Sequence, residues 1–325
     1  MRQPLVSIII VTYHSEKYIT DCLNSLAKIT YPNYEIIIID NNTKNLGYAT
    51  ANNLAALKAK GQYLFFLNPD TQVTPDFLDY LVAKLEANSP IAVVQPAVYL
   101  LKDKNKLNLT GKITHYLGMD WIKDYLSSQK IKSQFIYSFS GSAFLIRKNI
   151  FLKLHGFDNK YFMYYEDSDL SWKINLTGQK IYFENKSIIY HDYKYEPLES
   201  YQKLSTKIYY AERNRLLNIL KNYERKTLIL LLPAILLFEL SMLVYALATG
   251  WGFTKIKIYA ELFELRKHIL KQRKFIKQIR KVSDQEILKN MQSEIKFVKY
   301  EQWAVKKVLN PALKIYWRWL IITSG

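Results

Sequence analysis

Four short, unbroken apolar runs, at residues 6–11, 35–39, 63–67 and 91–95, alternate with stretches of helical periodicity at 16–27, 50–60 and 75–87. Runs of that length without polar alternation belong to strands covered on both faces. Strands that alternate with helices build a mostly parallel sheet with helices on both sides. Thr74 precedes Pro75, where a helix cap and a first-turn proline belong. The pattern predicts an α/β fold whose ligands bind beyond the carboxyl ends of the strands.

What stands at those ends is polar: Thr12-Tyr13-His14-Ser15, then Asp40-Asn41-Asn42, then Asn68-Pro69-Asp70. Neither a GxGxxG after a strand nor a GxxxxGK[ST] occurs, so dinucleotide-fingerprint and P-loop chemistry do not explain these clusters. Residues 99–135 read as an insertion or lid. A strand is expected over 138–146 around Gly141, then a short helix to His155, and late strands at 181–183 and 187–190 that end at His191.

Between them lies the run Tyr161-Phe162-Met163-Tyr164-Tyr165, which stops at Glu166, Asp167 and Asp169. Carboxylates this close repel one another, so a fold that gathers them has a cation or a proton to manage. Asp167 also reads as the N-cap of a helix through Leu170, Trp172, Ile174 and Leu176 that ends at Gly178. A cap uses one acceptor and leaves Glu166 and Asp169 unexplained.

The 325 residues carry one cysteine, Cys22, which excludes an internal disulfide or a cysteine zinc site and reads as a buried helix residue. The formal charge is +18, and residues 253–325 hold 17 Lys/Arg against 6 Asp/Glu, which implies a polyanionic partner. Just upstream, residues 228–250 are long and apolar enough for a bilayer and carry one charge, Glu239. The partner implied is therefore anionic membrane lipid and not nucleic acid.

The chain opens MRQPLVSIIIV without a leader, which predicts a cytosolic N-terminal domain. Lys221, Arg225 and Lys226 put basic charge on the other flank of the apolar segment too, against a single crossing. The expectation is a re-entrant hairpin bent near Pro233, or an in-plane anchor, at the cytoplasmic face of the membrane. The competing reading is a buried helix pair in a soluble dimer. Residues 255–297 read as basic helix and 303–322 as an interfacial helix rich in Trp, Tyr and Arg.

Taken together, VSIIIVTYHSEKYITDCLNSL, IIIIDNN, NLGYATANN, FLNPD, SGSAFLIRK, GFDNKYFMYYEDSDLSWKI and YHD resemble the family 2 glycosyltransferases, most closely the rhamnosyltransferase-like branch, over residues 4–220. The resemblance implies a GT-A fold, a nucleotide-diphosphate sugar donor, Mn²⁺ or Mg²⁺, and inversion at the anomeric carbon. It assigns Asp40 to the base of the nucleotide, where turn-forming is its bland alternative, with Thr12, Tyr13 and Glu16 lining the nucleoside pocket. Asn68 would sit at the donor. Asp70 and His191 would hold the metal, the histidine tilting the preference toward Mn²⁺.

Asp167 corresponds to the general base, Glu166 and Asp169 to groups that orient the acceptor and hold the helix start, and Gly141 to a close backbone approach to the sugar or, equally, a strand bulge. The expected organisation is a catalytic domain over 1–220 and a basic, helical, membrane-associated region over 221–325. An anchored enzyme suggests a glycan acceptor on a polyprenyl carrier, in cell-surface polysaccharide assembly. Asn68 stands where an acid is usual, His14 where asparagine is common, and the loop after Asp40 is short. Asn68 and the short loop keep open the alternative of a catalytically degenerate scaffold that anchors an assembly at the membrane. A glycoside hydrolase with paired carboxylates has no use for Asp40 or Asp70.

Overall fold

The computed structural model describes residues 3–87, 90–193, 201–295, 303 and 305–324, with the backbone alone at 201–205. The end of the basic helical stretch, 296–297, and residue 304 of the interfacial one lie outside the described residues. By contacts the chain divides into two compact units, Met1–Lys112 with Trp121–Glu196, and Ile113–Asp120 with Pro197–Gly325.

In the first unit the strands are β1 (Val6–Thr12), β2 (Tyr34–Asp40), β3 (Tyr63–Leu67), β4 (Thr71–Val73), β5 (Ile91–Leu100), β6 (Leu107–Leu109), β7 (Lys112–Thr114), β8 (Asp120–Ile122), β9 (Gln134–Ile136), β10 (Ala143–Arg147) and β11 (Lys180–His191). The helices are α1 (Glu16–Leu26), α2 (Gly47–Lys58), α3 (Phe77–Ala87), α4 (Lys148–Lys153) and α5 (Glu166–Leu176). Strands β7 and β8 form a hairpin whose tip passes into the second unit. The described main sheet runs β2-β1-β3-β10-β5-β11-β4, with β6 on β5 and β9 on β11. It is parallel at β2-β1-β3 and at β5-β11; β10 enters antiparallel between them.

Burial explains the order. Ile8, Ile9 and Ile10 of β1 and Leu64, Phe65 and Phe66 of β3 are fully buried on both faces. One face packs on Cys22, Phe77, Leu78 and Leu81; on the other, Phe66 meets the rings of Phe144, Phe151 and Phe157 at 4.8, 5.1 and 5.6 Å. Cys22 is sealed in this core, and burial pushes its thiol up to about 11. The second strand departs from expectation. As the edge of the sheet it leaves Ile36 and Ile38 exposed, so its apolar run is covered on one face only. The two late strands are one, β11, with a register shift between Glu184 and Ile188, and the stretch 99–135 is built of β6 to β9.

The second unit is helical: α6 (Tyr201–Asn222), α7 (Arg225–Ala248), α8 (Gly252–Glu264), α9 (Arg266–Ile279), α10 (Asp284–Lys289) and α11 (Asn310–Thr323). Helix α7 is the described helix long and apolar enough to cross a membrane. It runs unbroken through Pro233, so the hairpin expected there does not form. One missing N–H costs about 3 kcal/mol in a helix interior, and 24 residues of helix carry it without a turn. Its single internal charge faces protein: Glu239 bonds Arg215 of α6, Tyr259 at 2.9 Å and Lys255 of α8 at 2.8 Å. Much of the rest of the helix, Ile229, Leu236, Leu237, Leu240 and Val244 included, is exposed.

Candidate active site

Register brings the first cluster together. Thr12 pairs with Asp40 at the carboxyl ends of β1 and β2. Asn42 then stitches the loops: its N–H donates to Asp40 Oδ1 at 2.9 Å, its Oδ1 accepts from the His14 N–H at 2.8 Å, and its Nδ2 reaches Glu16 Oε1 at 3.4 Å. Tyr13 is 44% exposed beside them. The arrangement leaves Asp40 Oδ2 outside that network, on an exposed strand end beside Thr12. Behind it, buried Asn41 accepts the Leu46 N–H at 2.9 Å and so sets the short turn into α2.

The second cluster sits where β3 ends. The Asn68 N–H donates to the Ser142 carbonyl at 2.9 Å, which ties that strand end to the turn before β10. Asp70 and His191 meet across the β4–β11 pairing, with Nε2 3.2 Å from Oδ1. The buried Asn108 presents its Oδ1 to His191 Nδ1 at 2.9 Å, which places a proton on Nδ1 and turns Nε2 toward Asp70. Asp70 Oδ1 is buried and accepts no hydrogen bond. A carboxylate oxygen and an imidazole nitrogen held face to face without a hydrogen bond fit a divalent cation. Among the described residues no group of three or more His, Cys, Asp or Glu forms, so such an ion would bring most of its oxygen ligands with it.

The third cluster is the carboxylate run. Asp167 is not a cap: α5 begins at Glu166, and Tyr165 stands before it at φ 69°. Phe162, Tyr164 and Tyr165 all take positive φ, a strained path that throws the chain into the helix with its acids in the first turn. Gly47 permits the close approach, because a Cβ there would lie 2.5 Å from Phe162. Asp167 Oδ2 accepts the Gly141 N–H at 2.8 Å; Oδ1 accepts the Ser168 N–H and the Lys112 ammonium, each at 2.8 Å. Tyr48 donates to the Gly141 carbonyl at 2.6 Å and fixes that turn.

The three acids differ in role. Asp169 is fully buried and pairs with Lys173 at 3.1 Å, whose ammonium also donates to the Gly156 carbonyl at 3.1 Å, so it braces α5 from within. Glu166 is buried, and its Oε2 has no hydrogen-bond partner. Burial first, then the charge of Asp167, pushes its carboxyl up to about 8, against which Lys112 pulls down. It is neutral at pH 7 while Asp167 is held by Gly141, Lys112 and both the N–H and the hydroxyl of Ser168. Lys112, Asn108 and Tyr48 escaped the sequence reading, which placed Asn42 in the polar cluster after the second strand without a partner for it. A cavity of about 440 Å³ lined by Gln62, Tyr63, Arg147 and Lys148 opens beside the amino end of β3 and holds none of these groups.

The half-parallel sheet with polar loops at its carboxyl edge is a GT-A fold. Residues 3–227 match the model of the glycosyltransferase like family 2, and the chain belongs to that family. It is similar to rhamnosyltransferase WbbL of Escherichia coli K12, 25% identical over 257 residues that span 65% of this chain and 96% of that one. Glycosyltransferase GlyG of Streptococcus pneumoniae serotype 4 is 24% identical over 216 residues, 57% of this chain and 69% of that protein. Among solved structures, GalNAc-T7 with UDP, GalNAc and Mn²⁺ shares the fold at TM-score 0.53 and 16% identity; the match covers 68% of this chain and 48% of that one.

Proposed function

We propose that the chain is an inverting, divalent-metal-dependent glycosyltransferase that moves a hexose, rhamnose among the candidates, from a nucleotide-diphosphate sugar to a lipid-linked glycan at the cytoplasmic face of the membrane. The observation that carries it is Asp167, whose two oxygens are braced by Gly141, Ser168 and Lys112 beside a Glu166 that burial keeps protonated. Such a group is preorganised to take a proton from an attacking hydroxyl. Asp40 is suited to accept the imide N–H of a uracil or thymine, with Thr12, Tyr13 and Glu16 around the nucleoside and Asn68 beside the donor.

Asp70 and His191 would hold Mn²⁺ or Mg²⁺, which when bound would neutralise charge on the departing diphosphate. In the reaction the acceptor oxygen attacks the anomeric carbon, its proton passes to Asp167, and the nucleoside diphosphate leaves from the opposite face. Glu166 orients the acceptor as a neutral donor, and Asp169 holds the helix that carries both. The similarity to a rhamnosyltransferase supports the donor class.

Residues 1–220 would form the catalytic part and 221–325 the membrane-associated part. For the latter, α7 supports an in-plane anchor: its Glu239 is spent on Arg215 and Lys255, and its exposed surface is apolar. The setting that fits is assembly of a cell-surface polysaccharide. The test is release of nucleoside diphosphate by detergent-purified protein across UDP-, dTDP- and GDP-sugars with Mn²⁺ or Mg²⁺. Release from one donor, abolished in Asp70→Ala, is expected. No release from any donor, with lipid extracts supplied as acceptor, would leave the scaffold reading.

A further inference from the structure

Within the second unit the end of α6, the start of α7 and one face of α9 enclose a cavity of about 470 Å³. Six cationic residues line it, Lys221, Arg225, Arg273, Lys274, Lys277 and Arg280, against one acid, Glu224. On α9 they recur at the three- and four-residue spacing that stacks side chains on one helix face. Arg273 donates to the Leu220 carbonyl at 2.6 Å and Arg280 pairs with Asp284 at 2.7 Å, so the cluster is built into the fold. Asp284 is committed elsewhere too, accepting the Glu224 N–H at 2.6 Å.

Arg280 also faces Glu224 at 3.8 Å, and the lining cations still outnumber the acids around them. Burial, then neighbouring Arg225, draws the Arg273 guanidinium below its ordinary range, with Arg280 adding to the effect and Asp284 and Glu224 opposing it. The amino end of the 24-residue α7 opens on the same space, since Glu224 and Arg225 line it, and it adds its own positive potential. A surplus of several positive charges suits a group carrying two or three negative ones better than a phosphodiester. Beside the cavity the surface turns apolar: Leu270 at its wall is 59% exposed, and Ile229 and Leu232 on α7 are 70% and 50% exposed.

We propose that this cavity seats the diphosphate of a polyprenyl diphosphate, with the hydrocarbon chain lying along the open face of α7. The inference rests on the reading that the acceptor is lipid-linked, and it gives that acceptor's carrier a site of its own, separate from the carboxylates that serve the sugar. Both free diphosphate and other anionic lipids share the phosphate chemistry, so the probes must separate them.

The test is binding of farnesyl diphosphate to the full chain in neutral detergent, with inorganic pyrophosphate, farnesol and phosphatidylserine vesicles as competitors. Two variants are compared: Arg225→Gln/Lys274→Gln/Lys277→Gln in the cavity, and Lys267→Gln/Lys271→Gln/Lys281→Gln outside it. All six positions are exposed and each variant removes three charges, so thermal midpoints should stay matched. The cavity variant is expected to bind about tenfold more weakly, roughly three exposed charge contacts' worth, and the control to bind as the native chain does. Pyrophosphate should compete weakly and farnesol and the vesicles not at all.

Equal loss in both variants would overturn the proposal in favour of diffuse basic charge. Competition by pyrophosphate or by phosphatidylserine as strong as that of unlabelled farnesyl diphosphate would overturn the prenyl carrier as occupant. Donor turnover is measured separately on the native chain. Turnover without farnesyl diphosphate binding removes the cavity alone, whereas binding without turnover removes the transferase reading and leaves the cavity.

Discussion

Each unit buries a cluster of charges, and the two are balanced differently. In the first, Glu166 and Asp167 share the ammonium of Lys112, and one carboxyl is driven up to about 8. In the second, Glu212 and Glu239 meet Arg215 and Lys255, with Lys255 2.7 Å from Glu212 and 2.8 Å from Glu239. Burial there would raise Glu212, but Arg215 and Lys255 outweigh it and bring the carboxyl down to about 2. A buried cluster with matched charges is finished as structure; one with a carboxyl to spare has a proton to place. That contrast, more than the mere presence of acids, makes α5 the element whose reactivity is to be tested.

The largest effect should come from Asp167→Asn. It keeps the shape while removing the proton acceptor and turning one of the two accepting oxygens into an amide donor, so turnover should fall by about 10²–10⁴ with only the modest drop in thermal midpoint that one lost hydrogen bond brings. Loss of both together would make Asp167 a structural acid like those of the second unit. The matched cluster should behave in the opposite way. Arg215 is 1% exposed, and Arg215→Met leaves two buried acids, Glu239 and Glu212, to share the single ammonium of Lys255, which should cost about 3–5 kcal/mol in denaturant unfolding. Adding Glu239→Gln should recover part of the loss; additive losses would show that the two side chains do not act as a pair.

The alternation of apolar runs and helical stretches made the sheet legible, because strands such as β1 and β3 are buried on both faces and leave no polar alternation. It also placed Thr12 beside Asp40, since parallel strands of equal length end together. What it could not show was which acids are spent. Asp169 and Asp167 lie two residues apart, yet one is sealed on Lys173 and the other is braced in the site. Lys112 and Asn108 come from a stretch without periodicity, 55 and 83 residues from the side chains they hold, and only the fold of β6 and β7 brings them in. Glu239 marked a lone charge in an apolar segment; its partners on α6 and α8 decide that it faces protein. Pro233 suggested a turn, but a proline in a long helix that is packed along one side bends the chain at most.

Glu166→Gln sharpens the contrast through pH. Glutamine copies the protonated form, so turnover at pH 7 should stay within a few-fold of native. Native turnover should decline above about pH 8, as ionised Glu166 competes with Asp167 for Lys112, and the variant should lack that limb. Stability follows the same sign. The folded carboxyl holds its proton to about pH 8 while the unfolded one loses it near 4.5, so this contribution is complete at acid pH and drains away as pH rises between the two. Unfolding measured from pH 4 to 9 should show that slope in the native chain and not in Glu166→Gln. A limb that persists in the variant would assign the proton to another group.

Lys112→Met should have the smallest effect and the most specific direction. Asp167 keeps the Gly141 and Ser168 N–H groups, so its position survives, and turnover near neutrality should drop only modestly. Lys112 is the charge that pulls the Glu166 carboxyl down, so without it that proton is held more tightly and the alkaline limb should move to higher pH. In Lys112→Met/Glu166→Gln the limb should vanish, because the group that titrates is gone. A shift downward, or no shift at all, would mean that Lys112 spends its charge on Asp167 alone. The first cluster would then be an ordinary ion pair with a bystander acid, and its difference from the matched cluster of the second unit would be one of accounting and not of chemistry.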